Sequence, residues 1–248
     1  MTPPMFPTGE GQKAVKRWPW RGAVLILIML AAPLVGEALA HGVSEQDKGL
    51  IGAGLQLGRF VYLGAKHMVT GYDHLLFLFG VIFFLYRLRE VALYVTLFAV
   101  GHSVTLLYGV LSGTNANAHI VDAIIGGSVV YKAFDNMGGF KRLLGFQPDT
   151  KAAVLIFGLF HGLGLATKLQ EFALSREGLV ANIVAFNVGV EFGQILGLGL
   201  ILIGMGFWRR SRFFERHAFA ANVVLMTFGF ILVGYQLCGY FIQGDMRL

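Results

Sequence analysis

The sequence predicts an all-α, polytopic transmembrane helix bundle: six spans after a cleaved signal peptide, or seven if the leader is retained. Three observations carry this. Apolar residues make up 56% of the 248 residues and charged residues only 14%, whereas a soluble domain carries about 25% charged residues. Six or seven apolar runs approach or reach the length needed to cross a hydrocarbon core. Lys and Arg collect in alternate short loops, the pattern that sets orientation in a membrane. That placement makes the net charge of +6 a topology signal and excludes a nucleic-acid partner. The single Cys238 excludes an intrachain disulfide and a thiolate metal cluster.

Taken in order, Lys13, Lys16, Arg17 and Arg21 precede an apolar core from Gly22 to Leu34 and the stretch Gly36-Glu37-Ala38-Leu39-Ala40. This is a signal-peptide pattern over residues 1–40, leaving 41–248 as one membrane domain. An uncleaved anchor is the alternative. Cleavage would make His41 terminal, with an amine and an imidazole to offer a metal. The run Leu50–Ala65 contains Gln56, Arg59 and several glycines and predicts an interfacial or re-entrant helix. Spans follow at His74–Tyr86 (starting a few residues earlier), Val91–Leu111, Ile120–Phe134, Ala152–Lys168, Leu179–Met205 and Ala218–Ile242.

Arg87 and Arg89 follow the first span, Lys132, Lys141, Arg142 and Lys151 the third, and Arg209, Arg210, Arg212 and Arg216 the fifth. Those loops are expected in the cytoplasm and both mature termini outside a bacterial inner membrane. Lys168 and Arg176 are offset by Glu171 and Glu177. No phosphate-binding glycine motif occurs, so no nucleotide partner is expected. No internal repeat is strong enough to recognise, although inverted repeats are often invisible in one sequence.

Ionisable groups in hydrocarbon cost roughly 2.5–3.5 kcal/mol each near the bilayer centre, so those inside spans are functional candidates. Lys66 to Phe79 places His67, Asp73 and His74 at the mouth of an apolar run. At ~1.5 Å per residue, His102 and Glu191 each fall roughly 18 Å inside their spans and His161 about midway. Asp122 enters from the outer end. Asn187, Glu191 and Gln194, spaced i, i+4 and i+7, share a face. Imidazoles and carboxylates without thiolates suit a divalent transition metal such as nickel, cobalt, zinc, copper or manganese. The expected ligands are His41, His67, Asp73, His74, His102, Asp122, His161 and Glu191. Tyr72, Ser103, Thr105, Asn187 and Gln194 are expected as supporting donors. For the lone histidines a structural hydrogen bond between helices is the alternative. His119 and His217 are expected in solvated loops, and Lys132 and Arg59 to snorkel.

At these residues the chain resembles the HupE/UreJ family of nickel or cobalt permeases, most closely its divergent second branch. The family's His-Pro-x-x-Gly-x-Asp-His reads His67-Met68-Val69-Thr70-Gly71-Tyr72-Asp73-His74 here, with Met68 in place of proline. Phe160-His161-Gly162 and Glu191 echo a later motif without its contiguous form, and the leader ending in Ala40-His41 fits as well. The resemblance implies a metal ion as substrate, within a lipid bilayer. The expected function is potential-driven uptake of a divalent metal, failing as the histidines titrate toward about pH 5–6. A metal-dependent membrane hydrolase and a metal-holding assembly protein are the alternatives; protein partners are not indicated.

Overall fold

A computed structural model describes residues 54–170 and 177–245. The expected leader and His41 lie outside the described residues. Every described element is a helix: α1 (Leu57–Thr70), α2 (Tyr72–Ile82), α3 (Leu88–Ser112), α4 (Ala118–Asn136), the short α5 (Gly139–Leu144), α6 (Thr150–Gln170), α7 (Leu179–Arg209) and α8 (Phe214–Asp245). Helices α3, α6, α7 and α8 are each long and apolar enough to cross a membrane. Five of the predicted spans each fall within one helix, from α3 to α8 with α5 excepted. Helix ends follow local chemistry. Asn117 caps α4 by accepting from Ile120 N at 3.1 Å, and Asp149 accepts from Lys151 N and Ala152 N at the start of α6. Gly113, at φ 67°, closes α3 in the left-handed conformation.

The first part of the chain differs from expectation. Leu50–Ala65, of which residues 54–65 are described, is expected as an interfacial or re-entrant helix, and His74–Tyr86 as a span starting a few residues earlier. Instead, α1 and α2 form one broken element running beside α7 in the same direction. Val61 meets Gly189, Ala65 and Met68 meet Gly193, and Leu75 meets Gly197. At the far end Arg209 donates to Leu85 O at 2.8 Å and Phe83 O at 2.9 Å. Gln56, Arg59 and Lys66 make α1 look interfacial, yet Phe60, Leu63, Gly64 and Met68 form a buried stripe on its other side. The break falls at Gly71, whose ψ is 95°. Gly71 N still donates to His67 O and Leu75 N to Gly71 O, while His74 N turns to Asp73 Oδ1 at 2.9 Å. A poor helix former followed by a carboxylate that competes for backbone donors interrupts the helix here.

Two further seams complete the bundle. Helices α3 and α6 run parallel, with Phe98 on Gly158, Gly101 on Leu155, His102 on Gly162 and Gly109 on Ala166. A Cβ on Gly101 would stand 2.6 Å from Leu155 O, so backbone touches backbone. Helices α4 and α8 run antiparallel, with Gly126 on Val233, Gly229 on Val130 and Asn136 donating to Asn222 Oδ1 at 2.9 Å.

Three polar residues were placed wrongly by sequence. Lys132 does not snorkel: it is buried, and its Nζ lies 2.6 Å from Asp135 Oδ2. His119 sits in the first turn of α4, part-buried, with Nδ1 2.9 Å from Gln236 Oε1 on α8. His217 lies in α8, its Nδ1 2.7 Å from Phe213 O.

Candidate metal centre

The break at Gly71 ends α1 just after His67 and starts α2 with Asp73 and His74. Both histidines therefore point into the bundle from one broken element. His102 of α3 and His161 of α6 meet them there, carried by the seam in which His102 lies on Gly162. Ring centroids are 4.9 Å apart for His67 and His74, and 4.8 Å for His74 and His161. Two groups have donor atoms lying within 4.8 Å of one another: His67, His74 and His102, and Asp73, His74 and His161. His74 belongs to both. Phe98 closes one wall, 4.8 Å from His161 and stacked at 6.2 Å on His102.

Hydrogen bonds orient some rings and leave nitrogens free. His74 Nδ1 lies 2.9 Å from Asp73 Oδ1, and His161 Nδ1 donates to Phe157 O at 2.8 Å. Such partners fix the tautomer and turn the other nitrogen toward an ion. Among the described residues, four buried ring nitrogens have no partner: His67 Nε2, His161 Nε2 and both nitrogens of His102. A buried polar atom left unpaired costs about 1–3 kcal/mol. A divalent transition metal would relieve that cost, and the mostly imidazole donor set suits nickel, cobalt, zinc or copper.

A cavity of about 30 Å³ opens beside the cluster, lined by His67, Asp73, His74, His161, Asp122 and Lys168 among others. That is room for about two waters, or one ion with part of its hydration. Asp122 faces this cavity from α4, but both its oxygens are held by Lys168 Nζ of α6, at 2.8 and 3.1 Å. Asn187 of α7 approaches His102, although Asn187 Oδ1 has no hydrogen-bond partner. Gln194 is 1% exposed, and neither its amide nitrogen nor its oxygen is paired.

Glu191 lies half-buried on α7 and in neither donor group. At ~100° per residue it is turned about 40° from Asn187 and 60° from Gln194, which puts it at the edge of their shared face. Tyr72 is buried at the start of α2 and Ser103 half-buried beside His102. Thr105 works elsewhere: its hydroxyl donates to Leu159 O at 2.7 Å across the α3–α6 seam. Sequence reasoning passed over Lys168, counted there among the loop charges, and did not single out Phe98.

Fold and site together define a helical membrane protein with a buried cluster of imidazoles built on a broken helix. A family profile described as HupE / UreJ protein matches residues 45–244. The chain belongs to the HupE/UreJ family, which is associated with metal transport. No curated protein and no solved structure matches it.

Proposed function

We propose that the protein is a permease admitting a divalent transition metal, nickel first, from the periplasmic side of a bacterial inner membrane. The observation that carries this is the set of unpaired ring nitrogens of His67, His102 and His161 gathered around His74 inside the bundle. His41 and His67 would capture the ion, and Asp122 would attract it at the entrance. His74, His102 and His161 would bind it, with Asp73 holding His74 in position. Glu191, on the face of Asn187 and Gln194, would take part in onward passage. Each elementary charge falling through ~100 mV gains about 2.3 kcal/mol, so a dication needs no nucleotide.

Proteoliposomes with an imposed inside-negative potential test this with nickel, cobalt, zinc, manganese and copper. Influx of one metal is expected for the wild type and is lost in His74→Ala and His161→Ala. A tightly held stoichiometric metal without flux would overturn the permease and leave a metal-holding protein.

A further inference from the structure

The two halves of the bundle repeat one another in their contacts. Gly64 of α1 lies on Phe186 of α7, and Gly158 of α6 lies on Phe98 of α3. Val61 O faces Gly189 as Leu155 O faces Gly101. Met68 packs on Gly193 as Gly162 packs on Thr105. The antiparallel seam maps onto itself, because Gly126 meets the amide and side chain of Val233 while Gly229 meets the amide and side chain of Val130. Exchanging α1–α2 with α6, α3 with α7 and α4 with α8 therefore reproduces all three seams.

The same register appears in the residues. Phe98-Ala99-Val100-Gly101 pairs with Phe186-Asn187-Val188-Gly189, each followed in step by Gly109 and Gly197. Gly64-Ala65-Lys66-His67 pairs with Gly158-Leu159-Phe160-His161. Exchanged elements run oppositely. Gly80 of α2 lies beside Lys132 and Asn136, late in α4, whereas Lys168, late in α6, lies beside Asp122, early in α4. The repeat is inverted, the architecture in which substrate sites sit where the repeats meet.

In this register His67 corresponds to His161, and the residue corresponding to His74 is Lys168. We propose that the bundle is an inverted repeat and that Lys168, at the place matching His74, is a tethered cation that competes with the metal for Asp122. The inference rests on the metal-binding role given above. With His67, His74 and His161 the ammonium lines one cavity, and it holds both oxygens of Asp122. While it does so, it occupies one lone pair on each carboxylate oxygen and neutralises the charge that would draw the metal, and a fixed positive charge opposes the incoming dication. An imidazole at this place would complete a second half-site and hold the ion more tightly. A lysine loosens the site, as a carrier that must release its cargo requires.

Nickel binding to the purified full-length protein in detergent, by equilibrium dialysis and by the release rate, tests this. Removing a nearby like charge shifts an ionic equilibrium by about tenfold or more. Lys168→Met should therefore tighten nickel binding by about tenfold or more and slow release, whereas Lys168→Arg should stay near wild type. Asp122→Asn frees the ammonium in the cavity and should weaken binding, and the double variant Asp122→Asn/Lys168→Met should recover from that loss. If Lys168→Met is folded and binds nickel no more tightly than wild type, while His74→Ala loses it, the inference is overturned and the metal site stands. If Lys168→Met fails to fold, the double variant decides: affinity no better than Asp122→Asn overturns the inference. A wild type that binds no nickel overturns the nickel site and this inference with it.

Discussion

Asp73 and His74 carry most of the site's order in two adjacent residues. Asp73 Oδ1 takes both the backbone amide and the ring Nδ1 of His74, each at 2.9 Å. One carboxylate oxygen thus interrupts the helix and orients the His74 ring. Asp73→Asn keeps the shape and removes the charge. Loss of such an outer partner costs about 10–100-fold in metal affinity, and nickel titration should read that loss while circular dichroism is unchanged. An unaltered affinity would make Asp73 a helix-capping residue only. His67, Asp73 and His74 were legible because three ionisable groups crowd the mouth of an apolar run. His102 and His161 were legible from depth, which follows from counting residues along a span. Lys168 was not, since a lysine near a helix end looks like a loop charge until α4 is seen to bring Asp122 against it. Glu191 shows the limit of periodicity: a shared face about 60° wide can have one buried edge and one half-exposed edge.

At the level of elements, glycine decides which helices touch. A Cβ at Gly64 would run into Phe186 O of α7, whereas at Gly127 it would meet nothing within 4 Å. In an open helix interior Gly→Ala gains up to ~1 kcal/mol of helix propensity, so the two substitutions should differ in sign. Gly127→Ala is expected to leave the detergent melting temperature unchanged or raised. Gly64→Ala should lower it, overpacking costing typically ~1–3 kcal/mol. Equal shifts would mean that the α1–α7 seam is loose. Glycine-rich helices announced close approach in the sequence but not which pairs approach, because partners lie far apart in the chain. The polar residues of α1 likewise hid its buried stripe. Gly71 was visible as part of a motif, yet the backbone break follows from its combination with a carboxylate two residues later.

For the molecule as a whole, every seam joins elements that are not neighbours in sequence. Helix α8 covers α4, and without it Gly126 and Val130 lose their partners and Asn136 loses Asn222, keeping its bond to Gly80 O. A chain stopped after Arg209 should insert and then be cleared; pulse-chase should show a clearly shorter half-life than for the full chain. Equal persistence would mean that α4 holds its place unaided. The alternating basic loops were readable because orientation depends on local charge, whereas pairing depends on surfaces that one sequence does not display. The α1–α7 seam adds a demand on synthesis. Gly64 leaves the ribosome about 120 residues before Phe186, a wait of roughly 6–24 s at ~5–20 residues per second. Throughout that interval His67, Asp73 and His74 stand without the helix that will enclose them. The newborn chain must therefore shelter its candidate site at the insertion machinery, or among its own early helices, until α7 arrives.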